Sequence, residues 1–386
     1  MIGKSAFMTA SSSPASRIPW LDNLRVLACF LVIVSHIVGQ FFVTPPFTLE
    51  NETFACSSYY TVLVRVSIPL FFMISGALLL PVREATGLFL KKRFSRVLIP
   101  FLLWSVLYTV FPWCYEMVTG DSFKTIFPLS RATADLSAMG ESLLLIPLKF
   151  GVGIHLWYLY VLIGLYLFAP IISPWVARAG RRDFLYFLLL WSISLFLPYI
   201  RLAYPHVLGA CPWNDYGALH SFSGYLGYMI LGCFLRKYTT RASFARVAAW
   251  AVPCLIASFW FTLHGYRAST IEAQASSGVY IGFANVNVAI MAVTLFVLFQ
   301  AAPHAAAGSS VGPAGKVMAE CSRMSFGIYL VHFFLVGSMY NVFDRLHWLG
   351  MPACAVIPLL SLATFLASYA VVRLLACLPG GKYLVG

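Results

Sequence analysis

The chain has 386 residues, of which 60% are apolar, 16% aromatic and only 10% charged, and its mean hydropathy is +0.83. No soluble domain of this size has that balance, so the chain reads as a polytopic membrane protein. Its net charge of +13 does not imply a nucleic-acid partner, because the Lys and Arg residues fall in short segments between apolar stretches.

Residues 1–17 are small and polar, rich in Ser and Ala, and read as a disordered cytoplasmic tail. They do not form a signal peptide, since the apolar stretch after them is too long and lacks a clear cleavage site. Residues 18–386 read as one all-α transmembrane domain. Ten spans are predicted, near 20–43, 59–80, 97–118, 156–174, 184–202, 222–235, 247–264, 279–301, 326–343 and 352–377. The sixth is short and contains Gly. With the N-terminus inside, eighteen of the 26 Lys and Arg residues lie on the inner side and six on the outer, with Arg25 and Arg65 inside spans. That bias predicts an N-in, C-in bundle. The longest outer segment, about 119–155, carries Asp121, Lys124, Arg131, Asp135 and Glu141, enough polarity to shape an acceptor site.

Arg25 and His36 stand out in the first span. Eleven residues at about 100° each make roughly three turns, so both share one helix face, about 16 Å apart along the axis. Asp22, Cys29 and Gln40 fall near the same stripe. Ionisable groups inside a membrane are costly and mark a site or a partner. On the predicted topology Arg25 lies near the inner face and His36 in the outer half. Arg65, in the second span, falls at a depth like that of His36. Glu116 ends the third span on the outer side, and His155 and Trp157 open the fourth. His332 falls in the inner half of the ninth.

Each also has a plain structural reading. An intramembrane His can be an interhelical hydrogen-bonding group, Arg25 a boundary residue that snorkels to water, and Arg65 half of an ion pair. The run Lys91-Lys92-Arg93-Phe94-Ser95-Arg96 is either a positive-inside anchor or a phosphate-binding patch. Arg93 and Arg96 are three apart, so on a helix they project to one side and can grip phosphate oxygens. There is no Walker A loop and no GxGxxG signature, so side chains must hold any nucleotide-bearing ligand. The nine Cys include no CxxC pair, and no metal site is expected. Cys56 and Cys211 both fall in predicted outer segments, where a disulfide between them is allowed.

Five segments, in order, carry a resemblance: LDNLRVLACFLVIVSHIV, IPLFFMISGALLL, KKRFSRVLIPFLLWS, HLWYLYVLIGLYLFAPII and SFGIYLVHFFLV. With the eleven-residue spacing of Arg25 and His36 and the Arg-x-x-Arg after the second span, the chain resembles the membrane-bound acyltransferase-3 family. The resemblance implies a bacterial inner-membrane protein that moves an acyl group, often acetyl, from coenzyme A to sugar hydroxyls of surface or lipid-linked glycans. It makes His36 the base and Arg25 a donor-holding residue, and it gives Arg93 and Arg96 the donor phosphates. No esterase-like domain follows the last span, so the chain more resembles stand-alone members that modify enterobacterial common antigen.

The expected reaction is O-acetyl transfer from acetyl-CoA. His36 and Arg65 form the catalytic pair, with Arg65 at the oxyanion. Arg25, Arg93, Arg96, Lys91 and Lys92 hold the donor, and His155, Trp157 and Glu116 meet the acceptor. Ser75, Cys29 and His36 are open as covalent carriers. Expected partners are acyl-CoA, a glycan or lipid-linked sugar and the lipid bilayer, and an oligomer is compatible with the sequence. O-succinyl transfer is a second enzymatic reading. A glycan or small-anion transporter is the rival of another class, since ten spans with buried Arg and His would serve it too.

Overall fold

The computed structural model describes residues 17–39, 46–120, 140, 143–144, 154–239, 243–275, 277–303, 312–347 and 350–386. Residues 1–16 of the proposed tail and most of the 119–155 segment, including Asp121, Lys124, Arg131, Asp135 and Glu141, lie outside the described residues, as does Gln40. Helices occur at every predicted span, and among the described residues no named strand accompanies them. Seven helical stretches are long and apolar enough to cross a membrane by themselves.

The first helix, α1 (Pro19–Val38), starts where a chain should start one. Pro at its first position loses no hydrogen bond, and Asp22 in its first turn faces the positive end of the helix dipole. The second apolar stretch begins earlier than predicted, at α2 (Glu52–Leu63), whose N-terminus is capped by Asn51 accepting from the Phe54 amide. It is also broken. A 3-10 turn over Val64–Val66 separates α2 from α3 (Ser67–Leu79). Pro69 supplies the reason: it has no amide hydrogen to give the carbonyl of residue 65, and its ring crowds that carbonyl. Arg65 therefore sits at a discontinuity.

The helix α4 (Thr86–Thr119) has 34 residues, about 50 Å, well beyond a hydrocarbon core of roughly 30 Å. The basic run at 91–96 lies inside its first turns, not in a loop. Next come α5 (Trp157–Arg178), α6 (Arg181–Ser194), α7 (Leu197–Ala203), α8 (Leu226–Tyr238), α9 (Phe244–Ala273) and α10 (Val286–Ala301). The last elements are α11 (Pro313–His347), α12 (Ala353–Ala376) and the short α13 (Lys382–Val385). Like α4, α11 outruns its predicted span, by more than a turn at its start.

The short α8 is feasible because it meets almost no lipid: residues 227–235 are all buried. Two reciprocal glycines seat it on α3. A Cβ on Gly76 would lie 1.7 Å from the Met229 carbonyl oxygen, and one on Gly232 would lie 2.0 Å from that of Met73. Small residues at a helix crossing let the backbones approach.

The pairing of α1 with α11 organises the centre. Arg25 donates to the Ser322 hydroxyl at 3.2 Å, Cys29 Sγ meets the Ser325 carbonyl at 3.5 Å, and the ring centres of His36 and His332 are 5.2 Å apart. All three contacts advance together along both helices, so α1 and α11 run parallel and in step. At one end of the bundle Arg17 donates to the Gly315 carbonyl and Arg373 pairs with Glu320. At the other end a disulfide joins Cys56 to Cys354, and Tyr60 donates to the Cys354 carbonyl at 2.8 Å. The pairing of Cys56 with Cys211 that the sequence allowed is thus not the one formed. Cys211 is a free thiol, because the starts of α2 and α12 are brought together and Cys211 is not.

Candidate active site

Between α1, α3, α4, α5 and α11 lies a cavity of about 340 Å³, within the range typical of ligand sites. Arg25 and Arg93 supply its charge, and Ser75, Tyr158, Ser325 and Tyr329 supply the other hydrogen-bonding side chains that matter here. Phe71, Ile74, Leu78 and Leu162 add apolar wall. Cationic groups with an apolar wall suit a ligand with an anionic head and a long, weakly polar body.

The two guanidiniums are held differently. Arg25 shares Ser322 with Asp22: Ser322 donates to Asp22 at 2.7 Å, and Arg25 donates to Ser322. Arg17 closes the network on Asp22 at 2.6 Å. Asp22 therefore fixes Arg25 and has no contact with His36. Arg93 lies over the Phe89 ring at 5.5 Å, and its buried Nε has no hydrogen-bond partner among the described residues. Arg96 does not join it. Although only three residues on, Arg96 is exposed and outside the cavity lining, as is Lys91, while Lys92 pairs with Glu84. The expectation that Arg93 and Arg96 grip one ligand from the same side is thus met by Arg93 alone. A 60° step around the helix is enough to separate them.

Beyond the rings of Tyr158 and Tyr329, whose centres are 5.8 Å apart, stand three imidazoles. The ring centres of His36 lie 5.2 Å from His332 and 6.2 Å from His155, and those of His155 and His332 lie 5.4 Å apart. His332, predicted for the inner half of its span, is level with His36 because α11 begins well before that span. His155 is no rim residue: it is 2% exposed and stacks on Phe333 at 4.5 Å. Its ring nitrogens have no partner among the described residues, though its carbonyl accepts from Tyr329. His36 alone of the three is partly exposed. Among the described residues no group of His, Cys, Asp or Glu side chains is placed to hold a metal ion.

Arg65 is brought to the same place. Its Nε donates to the Thr61 carbonyl at 3.2 Å, its guanidinium lies 5.4 Å from the Phe283 ring centre, and the 3-10 turn that carries it packs against α1. No salt bridge among the described residues neutralises it. Trp157 stacks on the other partner of that cation, Phe283, at 5.7 Å, which puts it beside Arg65. Glu116, near the end of α4, keeps one buried carboxylate oxygen unpaired among the described residues, and no contact joins it to the imidazoles. Of the three carrier candidates, Ser75 lines the cavity and Cys29 is buried against Ser325.

Sequence reasoning missed Tyr158, Tyr329, Ser322 and the placement of His332 beside His36. A signal was present. Ser322, Ser325, Tyr329 and His332 follow at steps of three and four, a polar stripe on one helix face, and it packs on the stripe of Asp22, Arg25, Cys29 and His36.

A family model described as an acyltransferase domain matches residues 18–373. No curated protein and no solved structure matches the chain.

Proposed function

The chain belongs to the membrane-bound acyltransferase-3 family, and from that premise we propose that it moves an acetyl group from acetyl-CoA to a hydroxyl of an extracytoplasmic or lipid-linked glycan. Members of this family generally transfer acyl groups to sugar hydroxyls. The observation that carries the finer reading is the cavity with Arg25 and Arg93, whose lining residue Tyr329 packs on His332, which in turn stands 5.2 Å from the imidazole of His36.

In this reading the end of the bundle bearing Arg93 and Arg25 faces the cytoplasm, where acetyl-CoA is made, and the Cys56–Cys354 end faces the oxidising side. Disulfides persist on that side of a bacterial inner membrane, and the basic-residue bias agrees. Arg93 and Arg25 hold phosphate oxygens through charge-assisted hydrogen bonds. The pantetheine arm follows the cavity toward Tyr329, and the offset of about 16 Å from Arg25 to His36 matches its reach. His36 takes the proton of the acceptor hydroxyl as the oxygen attacks the thioester carbon. Arg65 faces the negative charge that develops on the acyl oxygen, where a fixed cation in a dry site is most effective. Trp157 offers its face to the acceptor sugar. As the carbon–sulfur bond breaks, the proton held by His36 passes to the sulfur and coenzyme A leaves as the thiol.

The test is direct. Purified protein in lipid nanodiscs, given labelled acetyl-CoA or succinyl-CoA and a membrane glycan extract, should consume acetyl-CoA and label the glycan. Unconsumed acetyl-CoA, together with glycan movement across sealed proteoliposomes, would instead mark a transporter.

A further inference from the structure

Among the described residues no side chain of α1 hydrogen-bonds the ring of the base His36, and the structure supplies a neighbour from the other end of the chain. We propose that His332 is the positioning residue of His36: its Nε2 accepts the N–H of His36, which leaves the second nitrogen of His36 unprotonated and turned to the acceptor. This inference rests on the function proposed above.

The protonation of His332 is set by geometry. Its Nδ1 lies 2.6 Å from the Tyr329 carbonyl oxygen. A carbonyl only accepts, so Nδ1 carries the hydrogen and the Nε2 lone pair is free. That Nε2 is buried, in a residue 0% exposed, and has no partner among the described residues. Leaving a buried acceptor unmet is costly, and Leu or Phe would fill the space without that cost.

Two imidazoles stand at a fitting distance, His36 and His155, and of these only His36 is partly exposed. Two imidazoles joined in line by an N–H to N hydrogen bond of about 2.9 Å have ring centres roughly 5 Å apart. His36 stands at 5.2 Å with its ring tilted by 42°. The χ2 torsion that would turn the His36 N–H toward Nε2 is broad for His, and catalytic hydrogen bonds often close only when substrate is bound. The other groups facing the pair are His155, Tyr329, Phe333 and Arg65. His155 lies 5.4 Å from His332, but its burial against Phe333 keeps it from an acceptor. Tyr329 directs its hydroxyl to the His155 carbonyl, and Arg65 brings donors only. The arrangement has the logic of a catalytic triad, in which a third group fixes the tautomer of the base.

Two variants separate this role from a merely structural one. His332→Asn keeps a donor for the Tyr329 carbonyl but has nothing at the Nε2 position. His332→Gln reaches the Nε2 position with an acceptor oxygen but gives up the short donor. If His332 positions His36, His332→Asn lowers kcat with acetyl-CoA by about 10²-fold or more, His332→Gln retains at least tenfold more activity than His332→Asn, and KM for acetyl-CoA stays within twofold in both. If it only anchors its own helix turn, the order reverses, and that reversal overturns the proposal, as does wild-type kcat in His332→Asn. Coenzyme A binding by each variant reports that it is folded. Absence of transfer by the unaltered protein would overturn the proposed function itself, and this inference with it.

Discussion

The imidazoles of His36 and His332, near opposite ends of the chain, meet with ring centres 5.2 Å apart, and His332 packs on Tyr329, which lines the cavity that holds Arg25 and Arg93. The parallel, in-step packing of α1 and α11 brings them there, and the same packing sets Ser322 on Arg25 and Ser325 on Cys29.

Substituting His36 tests the chemical centre. His36→Gln keeps similar bulk and hydrogen bonding without a usable base, so turnover should fall by about 10²–10⁴-fold while coenzyme A binding is retained. Labelled product measured at matched protein levels decides it. Near-normal product would make His36 a structural residue.

The donor site predicts a contrast between neighbours. Hydrogen bonds to charged groups contribute roughly 1.5–3 kcal/mol each, so Arg93→Ala should weaken coenzyme A binding about tenfold or more by calorimetry. Arg96→Ala, outside the cavity lining, should change it little. Equal losses from both would mean that the basic run acts as a diffuse patch.

Arg25 depends on its supports. Ser322→Ala removes the hydroxyl that joins Arg25 to Asp22. KM for acetyl-CoA should rise severalfold with kcat nearly unchanged, because the group lies at the anionic end of the donor and not at the reacting carbon. A fall in kcat at constant KM would contradict that placement.

The α3–α8 crossing should be intolerant of side chains. Gly76→Ala sets a methyl against the Met229 backbone, and overpacking of this kind costs at least about 1–3 kcal/mol. Gly164→Ala, with open space at its Cβ, should be neutral or mildly stabilising in a helix. Thermal melts in detergent that rank the two the other way would contradict the crossing.

The disulfide reports both stability and sidedness. Cys56→Ser should lower stability by about 2–4 kcal/mol and leave Cys354 as a thiol that a membrane-impermeant reagent reaches from outside intact spheroplasts. Labelling of Cys354 only after the cytoplasmic side is opened would invert the proposed orientation.

Hydropathy and helical periodicity depend on residues a few positions apart, and they were enough to reveal a helical membrane protein, most of its spans, and the shared face of Arg25 and His36. The Arg-x-x-Arg spacing was legible too, but which arginine enters the cavity was not, since a 60° difference around α4 has meaning only once its neighbours are placed. Lateral packing depends on contacts across the whole chain, which no local pattern encodes. Only the tertiary structure could decide that Cys56 pairs with Cys354 and that a 13-residue helix is sheltered by two glycines. It alone moved His155 from the rim to the core and raised His332 to the level of His36, because helix ends and relative heights are fixed by the partners each helix packs against.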